Sequence, residues 1–174
     1  MTLSVIAPDL LDELIREAEG VPPGDFVEVG VYRGGSAKRL AEVARRTGRR
    51  LFLFDTFTGI PMQREGVDHH KIGDFGDTSL AEVQREIPDA IFKVGLFPVT
   101  LDDDVGPIAF AHVDCDQYDS VFACCVELAP RMVSGGVIVF DDPGCLEGAS
   151  QAVRDAIGMD RVEYSRLGKW RVRF

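Results

Sequence analysis

Four aspartates close two apolar runs: Asp114 and Asp116 end the segment IAFAHVDCD, and Asp141 and Asp142 end GGVIVFDD. Short, continuous, β-branched-rich apolar stretches are what the strands of a parallel sheet covered on both faces require. Ligands of such sheets bind beyond the carboxyl ends of the strands. Carboxylates converging there repel one another in a partly desolvated crevice, and a bound cation is the physical reason to gather them. A ligand set made only of oxygen favours a hard ion such as Mg²⁺ over zinc.

A second group lies nearer the N-terminus. The segment FVEVGVYRGGS places Glu28 and Gly30 at the end of a strand and Gly34, Gly35 and Ser36 at the opening of a helix, so the backbone can approach a ligand closely. Dinucleotide-binding turns carry GxGxxG, which seats a pyrophosphate on the helix N-terminus. This chain has ExGxxxG. Glu28 takes the place of the first glycine, where its charge repels a pyrophosphate and suits an ammonium or sulfonium group. Asp55 ends the next strand, 25 residues beyond Gly30, about where an acidic residue binds ribose hydroxyls in nucleotide-binding sheets. Together these features suit S-adenosylmethionine better than NAD.

The elements that must position these residues follow from periodicity and punctuation. Residues 8–19 carry Leu10, Leu11, Leu14, Ile15 and Ala18 at helical spacing, with Gly20 as the stop. FVEVGV is a strand, residues 34–47 a helix ended by Gly48, and LFLFD (51–55) a buried strand. Residues 56–76 are too polar and Gly-rich for either regular element, and long irregular loops in compact domains are often functional. Thr78 or Ser79 caps a helix running to about Ile87, where Pro88 closes it. AIFKVG is a third strand, IAFAHVD a fourth, residues 118–132 a helix, and GGVIVFD a fifth strand. Residues 148–157 read as a helix, and RVEYSR and KWRVRF as a hairpin turning at Leu167 and Gly168. Strands alternating with helices and a terminal hairpin predict an α/β fold around a mostly parallel sheet with an antiparallel strand at one end.

Composition narrows the function classes. The 174 residues fit one domain, residues 1–174, with 45% hydrophobic and 28% charged residues. Nineteen Lys and Arg against 29 Asp and Glu leave a net charge of −10, which opposes non-specific attraction to nucleic acid or anionic membrane. The expected partners are small molecules. No segment approaches a membrane span and the N-terminus shows no basic leader before an apolar core, so the expected location is cytoplasmic. Cys115, Cys124, Cys125 and Cys145 form no CxxC pair and read as reduced thiols, the middle two packed in a helix.

At this point the chain resembles a known family, the macrocin O-methyltransferase (TylF-like) group of Mg²⁺- and S-adenosylmethionine-dependent sugar O-methyltransferases. The resemblance is carried by EVGVYRGGSA (28–37), FDTFTGIP (54–61), GDFGDTSLAEV (73–83), VGLFPVTL (94–101), HVDCDQYDS (112–120) and SGGVIVFDDPG (134–144), in that order. It implies a class I methyltransferase (Rossmann-like) fold with a seven-stranded sheet, an antiparallel C-terminal strand and helices on both faces. It further implies Asp114, Asp141 and Asp142 as metal ligands, and Glu28, Gly30, Ser36, Asp55, Ser79 and Gly95 around the cofactor, with Asp55 on the ribose. Asp114 is also the candidate base. Related enzymes acting on catechols use a lysine three residues beyond this ligand, and Gln117 stands there here. Asp116 is expected to cap the helix beginning near Tyr118 and not to ligate.

The expected function is therefore Mg²⁺-dependent transfer of a methyl group from S-adenosylmethionine to a hydroxyl of a small molecule, such as the sugar of a natural product. Two alternatives stay open: a binding module for S-adenosylmethionine or S-adenosylhomocysteine without catalysis, and a nicotinamide-nucleotide enzyme, which ExGxxxG disfavours. The chain departs from the resemblance in a short N-terminal part, in Pro143 after the paired aspartates, and in Ser150. The short N-terminus leads to the expectation of a homodimer whose partner subunit covers the site. His69 and His70 are loop candidates for the acceptor side, and His112 is expected to be packed or hydrogen-bonded. Asp102 to Asp104 are expected in a solvated turn, Phe57 and Phe97 near the adenine, and Trp170 against a helix or a partner.

Overall fold

The computed structural model describes residues 6–174; residues 1–5, the first part of the N-terminal stretch read for a leader, lie outside the described residues. The elements are α1 (Pro8–Glu19), β1 (Asp25–Val29), α2 (Gly35–Thr47), β2 (Leu51–Asp55), α3 (Leu80–Glu86), β3 (Ile91–Val94), β4 (Ile108–Val113), α4 (Tyr118–Leu128), β5 (Met132–Phe140), α5 (Glu147–Ala156), β6 (Glu163–Tyr164) and β7 (Trp170–Arg173). They build one seven-stranded sheet in the order β3-β2-β1-β4-β5-β7-β6. The strands from β3 to β5 are parallel, and β7 runs antiparallel to both β5 and β6.

Two features of the sheet follow directly from the residues. The central strands β1 and β4 are buried along their whole length, as both-faced coverage demands of LFLFD-like runs. Alternate side chains then feed two cores. Phe26, Leu51, Leu53 and Phe110 pack with α1, α2 and α3, while Val27, Val29, Phe52, Phe54 and Phe140 pack with α4 and α5. Chain order reverses between β1 and β4, which opens a crevice beyond their carboxyl ends.

The helix expected over residues 118–132 stops at Leu128. Pro130 lies in a 3-10 turn, Ala129–Arg131, and β5 begins at Met132. Proline lacks the N–H that a continuing helix needs, so the turn tightens and the chain enters the sheet. Trp170 is buried beside Tyr164, with Arg154 of α5 over its ring, and so packs against a helix. Asp102 and Asp104 lie in an exposed turn, both paired with Lys93. Among the described residues no helix is long and apolar enough to cross a membrane.

Candidate active site

The first half of the site is built by β1 and β2. Gly30 follows β1 with φ 90°, and a Cβ there would overlap the carbonyl of Asp114, so only glycine lets the ends of β1 and β4 meet. Asp55 ends β2, and its carboxylate organises the turn beside it. One oxygen accepts the amides of Val31 and Tyr32 at 2.7 and 2.8 Å, and the other accepts Phe57 at 2.6 Å. Three backbone donors satisfy most of its acceptor capacity and leave one edge for a ligand. The Gly95 amide donates to the Asp55 carbonyl, and Phe97 packs edge-on against Phe54 at 5.3 Å.

The second half is built by β4 and β5. Asp114, Asp116 and Asp142 each bring a carboxylate oxygen within 4.8 Å of the others. Asp116 has φ 60°, and its amide donates to Asp142 at 3.2 Å. Burial raises the proton affinity of all three carboxyls. The charges of Asp142, Asp141, Asp116 and Glu28 push Asp114 further, Asp116 and Asp141 do the same to Asp142, and Asp141 adds to the rise at Asp116. The hydrogen bond between Asp116 and Asp142 favours the proton on Asp142. Asp141 is held differently. Lys169, on the turn before β7, sits 2.6 Å from its carboxylate and donates to its carbonyl at 2.5 Å. Among the described residues, Lys169 is the one cation paired with these four aspartates.

One cavity of about 340 Å³ joins the halves. Of the residues singled out in the sequence, Gly30, Asp55, Gly95, Asp114, Asp141 and Asp142 line it, together with Asp116, Phe97 and His70. Glu28, Ser36, Ser79, Phe57 and His69 do not line it. Glu28 is fully buried and meets Nδ1 of His112 on the neighbouring strand at 2.8 Å. Ser36 is buried in the first turn of α2, and Ser79 caps α3 by accepting the Glu82 amide at 3.4 Å. Phe57 packs on Phe92.

Asp116 is a correction. The N-cap of α4 is Gln117, without a side-chain cap, and the first amide of that helix, Tyr118, is taken by Asp68 of the long loop at 2.8 Å. A left-handed backbone at Asp116 turns its carboxylate to Asp142 and away from the helix. The acidic residues clustered just past a buried strand were the available signal, while the left-handed turn that brings Asp116 to Asp142 was not visible in the spacing. Nothing in the sequence signalled Lys169, which lies 28 residues from Asp141, or Asp68.

Two solved structures share the architecture. The O-methyltransferase NovP aligns with a TM-score of 0.85 at 23% identity, covering 99% of this chain and 82% of that one. The calicheamicin methyltransferase CalS11 aligns at 0.79 and 21%, covering 95% and 77%. The fold is that of the class I methyltransferases. The chain belongs to the macrocin O-methyltransferase (TylF) family, whose model matches residues 9–163. It is 31% identical over 174 residues to 8-demethyl-8-(2,3-dimethoxy-alpha-L-rhamnosyl)-tetracenomycin-C 4'-O-methyltransferase of Streptomyces olivaceus, covering 84% of this chain and 61% of that protein. It is 30% identical to mycinamicin III 3''-O-methyltransferase of Micromonospora griseorubida, covering 88% and 70%.

Proposed function

We propose that the protein is an S-adenosylmethionine-dependent O-methyltransferase that uses Mg²⁺ and acts on a hydroxyl of a sugar carried by a natural product. The observation that carries this reading is the opening of Asp55 and of the Asp114, Asp116 and Asp142 cluster into the same cavity. The names of the relatives, both O-methyltransferases and one of them acting on a rhamnosyl-bearing tetracenomycin, support the substrate class.

The residues fit the proposed ion. The donors are all carboxylate oxygens, crowded enough that burial and mutual repulsion disfavour their charged forms, and a hard cation relieves both costs. Asp114 and Asp142 would hold it, joined by Asp141 as the resemblance implies or by Asp116 as the oxygen positions favour. Bound magnesium would supply a Lewis acid that lowers the pKa of an acceptor hydroxyl. The other steps belong to the chain. Asp55, Gly30 and Gly95 hold the donor's nucleoside end, and the apolar wall including Phe97 excludes water. Asp114 takes the hydroxyl proton. Asp116 is a second reading for the base, favoured by the backbone turn that places its oxygen in the cluster. Gln117 cannot serve, because it is buried away from the cavity and its amide carries no basic atom.

Calorimetric titration with S-adenosylmethionine, S-adenosylhomocysteine and NAD, with and without Mg²⁺, tests this reading. The first two bind and NAD does not; failure of both would sink it. Asp116→Asn, assayed for formation of methylated product once an acceptor is found and for Mg²⁺ binding alongside, separates the two bases: activity lost with Mg²⁺ binding kept assigns Asp116, and activity kept assigns Asp114.

A further inference from the structure

Gln117 follows the aspartate turn and is fully buried. Its Nε2 donates to the carbonyls of Met62 and His70 at 3.0 and 2.9 Å, 55 and 47 residues away. Only the NH₂ end of the amide can donate to two carbonyls, so its orientation is fixed by chemistry. Its oxygen has no partner among the described residues, a penalty that an apolar side chain would avoid. The two carbonyls it grips explain the residue type. Both belong to the loop of residues 56–79, which supplies Ile60, Pro61, His70 and Phe75 to the cavity.

A second grip lies beside the first. Asp68 accepts the Tyr118 amide at 2.8 Å with one oxygen and the Arg64 amide at 2.6 Å with the other. Arg64 in turn pairs with Asp119 at 2.6 Å and lies 3.8 Å over the Tyr118 ring. In the first turn of α5, Gly148 leaves room for this carboxylate, since a Cβ there would overlap an oxygen of Asp68. The far end of the loop is tied to the other half of the site: Asp77 accepts from Tyr32 at 2.8 Å and pairs with Arg33, and Thr78 donates to the Tyr32 carbonyl.

We propose that Gln117 is a positioning residue that, with Asp68, locks the loop of residues 56–79 to the first turn of α4, so that His70 and Phe75 form a fixed wall of the cavity beside the aspartates. The lock stands on the contacts alone; it rests on the proposed function only in making that wall the acceptor side. The wall is then built before any ligand arrives, and acceptor shape is read by a preformed surface.

The test uses the full chain with Gln117→Met, Asp68→Ala and the double substitution, followed by hydrogen exchange and mass spectrometry. Each single change speeds exchange about tenfold both in residues 60–74 and in the first turn of α4. The double change adds little to either single one, because both break one lock. The His70 imidazole resonances, assigned with His70→Gln, move to those of a solvated histidine in each variant. Affinity for S-adenosylhomocysteine stays within about twofold. Loosening confined to one segment, additive effects in the double variant, or unmoved His70 resonances would overturn the proposal. If Gln117→Met does not fold, Gly148→Ala tests the same lock by displacing Asp68: both segments loosen if it exists and neither does if it does not. Should the unchanged chain fail to bind S-adenosylhomocysteine, the methyltransferase reading falls while the exchange data still decide the lock.

Discussion

The two halves of the cavity use aspartate in opposite ways. Asp55 ends its strand with three backbone N–H groups on its carboxylate, so its charge is paid for within the fold. Asp114, Asp116 and Asp142 end theirs facing one another, and their charges are answered by no cation among the described residues. A carboxylate of the first kind holds a turn in shape and can accept one more hydrogen bond. A cluster of the second kind stores repulsion that a bound cation would release. The residue type is the same and all four lie at or just beyond the carboxyl end of a strand; the groups that surround each one decide its role.

The contrast can be broken at its seam first. Gly30→Ala puts a methyl group into the Asp114 carbonyl at a left-handed backbone position, and the expected cost is about 4 kcal/mol or failure to fold, read by chemical denaturation. Asp55→Asn comes next. The amide turns donors toward backbone N–H groups or accepts only on one side, and stability falls by roughly 2 kcal/mol. Asp142→Asn should do the reverse in the metal-free protein once the pH exceeds the raised range of the cluster and Asp142 is charged: it removes one charge from a repelling group, so stability stays level or rises by about 1 kcal/mol, and the response to Mg²⁺ disappears. Equal losses from the Asp55 and Asp142 substitutions would erase the distinction.

Titration sharpens the same comparison. The raised carboxyls of the cluster bind protons in the folded state that the unfolded chain has already released. From the ordinary carboxylate range, about pH 4, up through their raised values, the folded state therefore holds more protons than the unfolded one, and the cluster lowers stability as pH rises. Below that range both states are protonated and the penalty is absent. Mg²⁺ must displace those protons, so its stabilisation of the melting temperature is larger at about pH 8 than at about pH 5. Lys169→Met, which removes a mostly buried pair from Asp141, is expected to cost about 1 kcal/mol by thermal melting.

Much of this was legible in the chain. Continuous apolar runs such as LFLFD and IAFAHV announce strands buried on both faces, and a glycine or proline stop marks most helices. The positions of Gly30, Asp55, Gly95, Asp114, Asp141 and Asp142 around one cavity follow from strand ends meeting at a switch point. Less was legible where a side chain turns back into the fold. Glu28 reads as a ligand-facing carboxylate because it stands near a strand end, yet its alternation sends it inward to His112. The cap of α4 comes from Asp68, 50 residues upstream, and local sequence offered Asp116 instead.

Sequence alone determined the parallel sheet, its antiparallel close, the Gly-rich first turn and the acidic strand ends, because hydrophobic period and turn chemistry are local properties. The tertiary structure decided which carboxylates meet, which one Lys169 holds, and what a buried Gln117 grips. Those are contacts between residues far apart in the chain, and they depend on distances that no local pattern encodes.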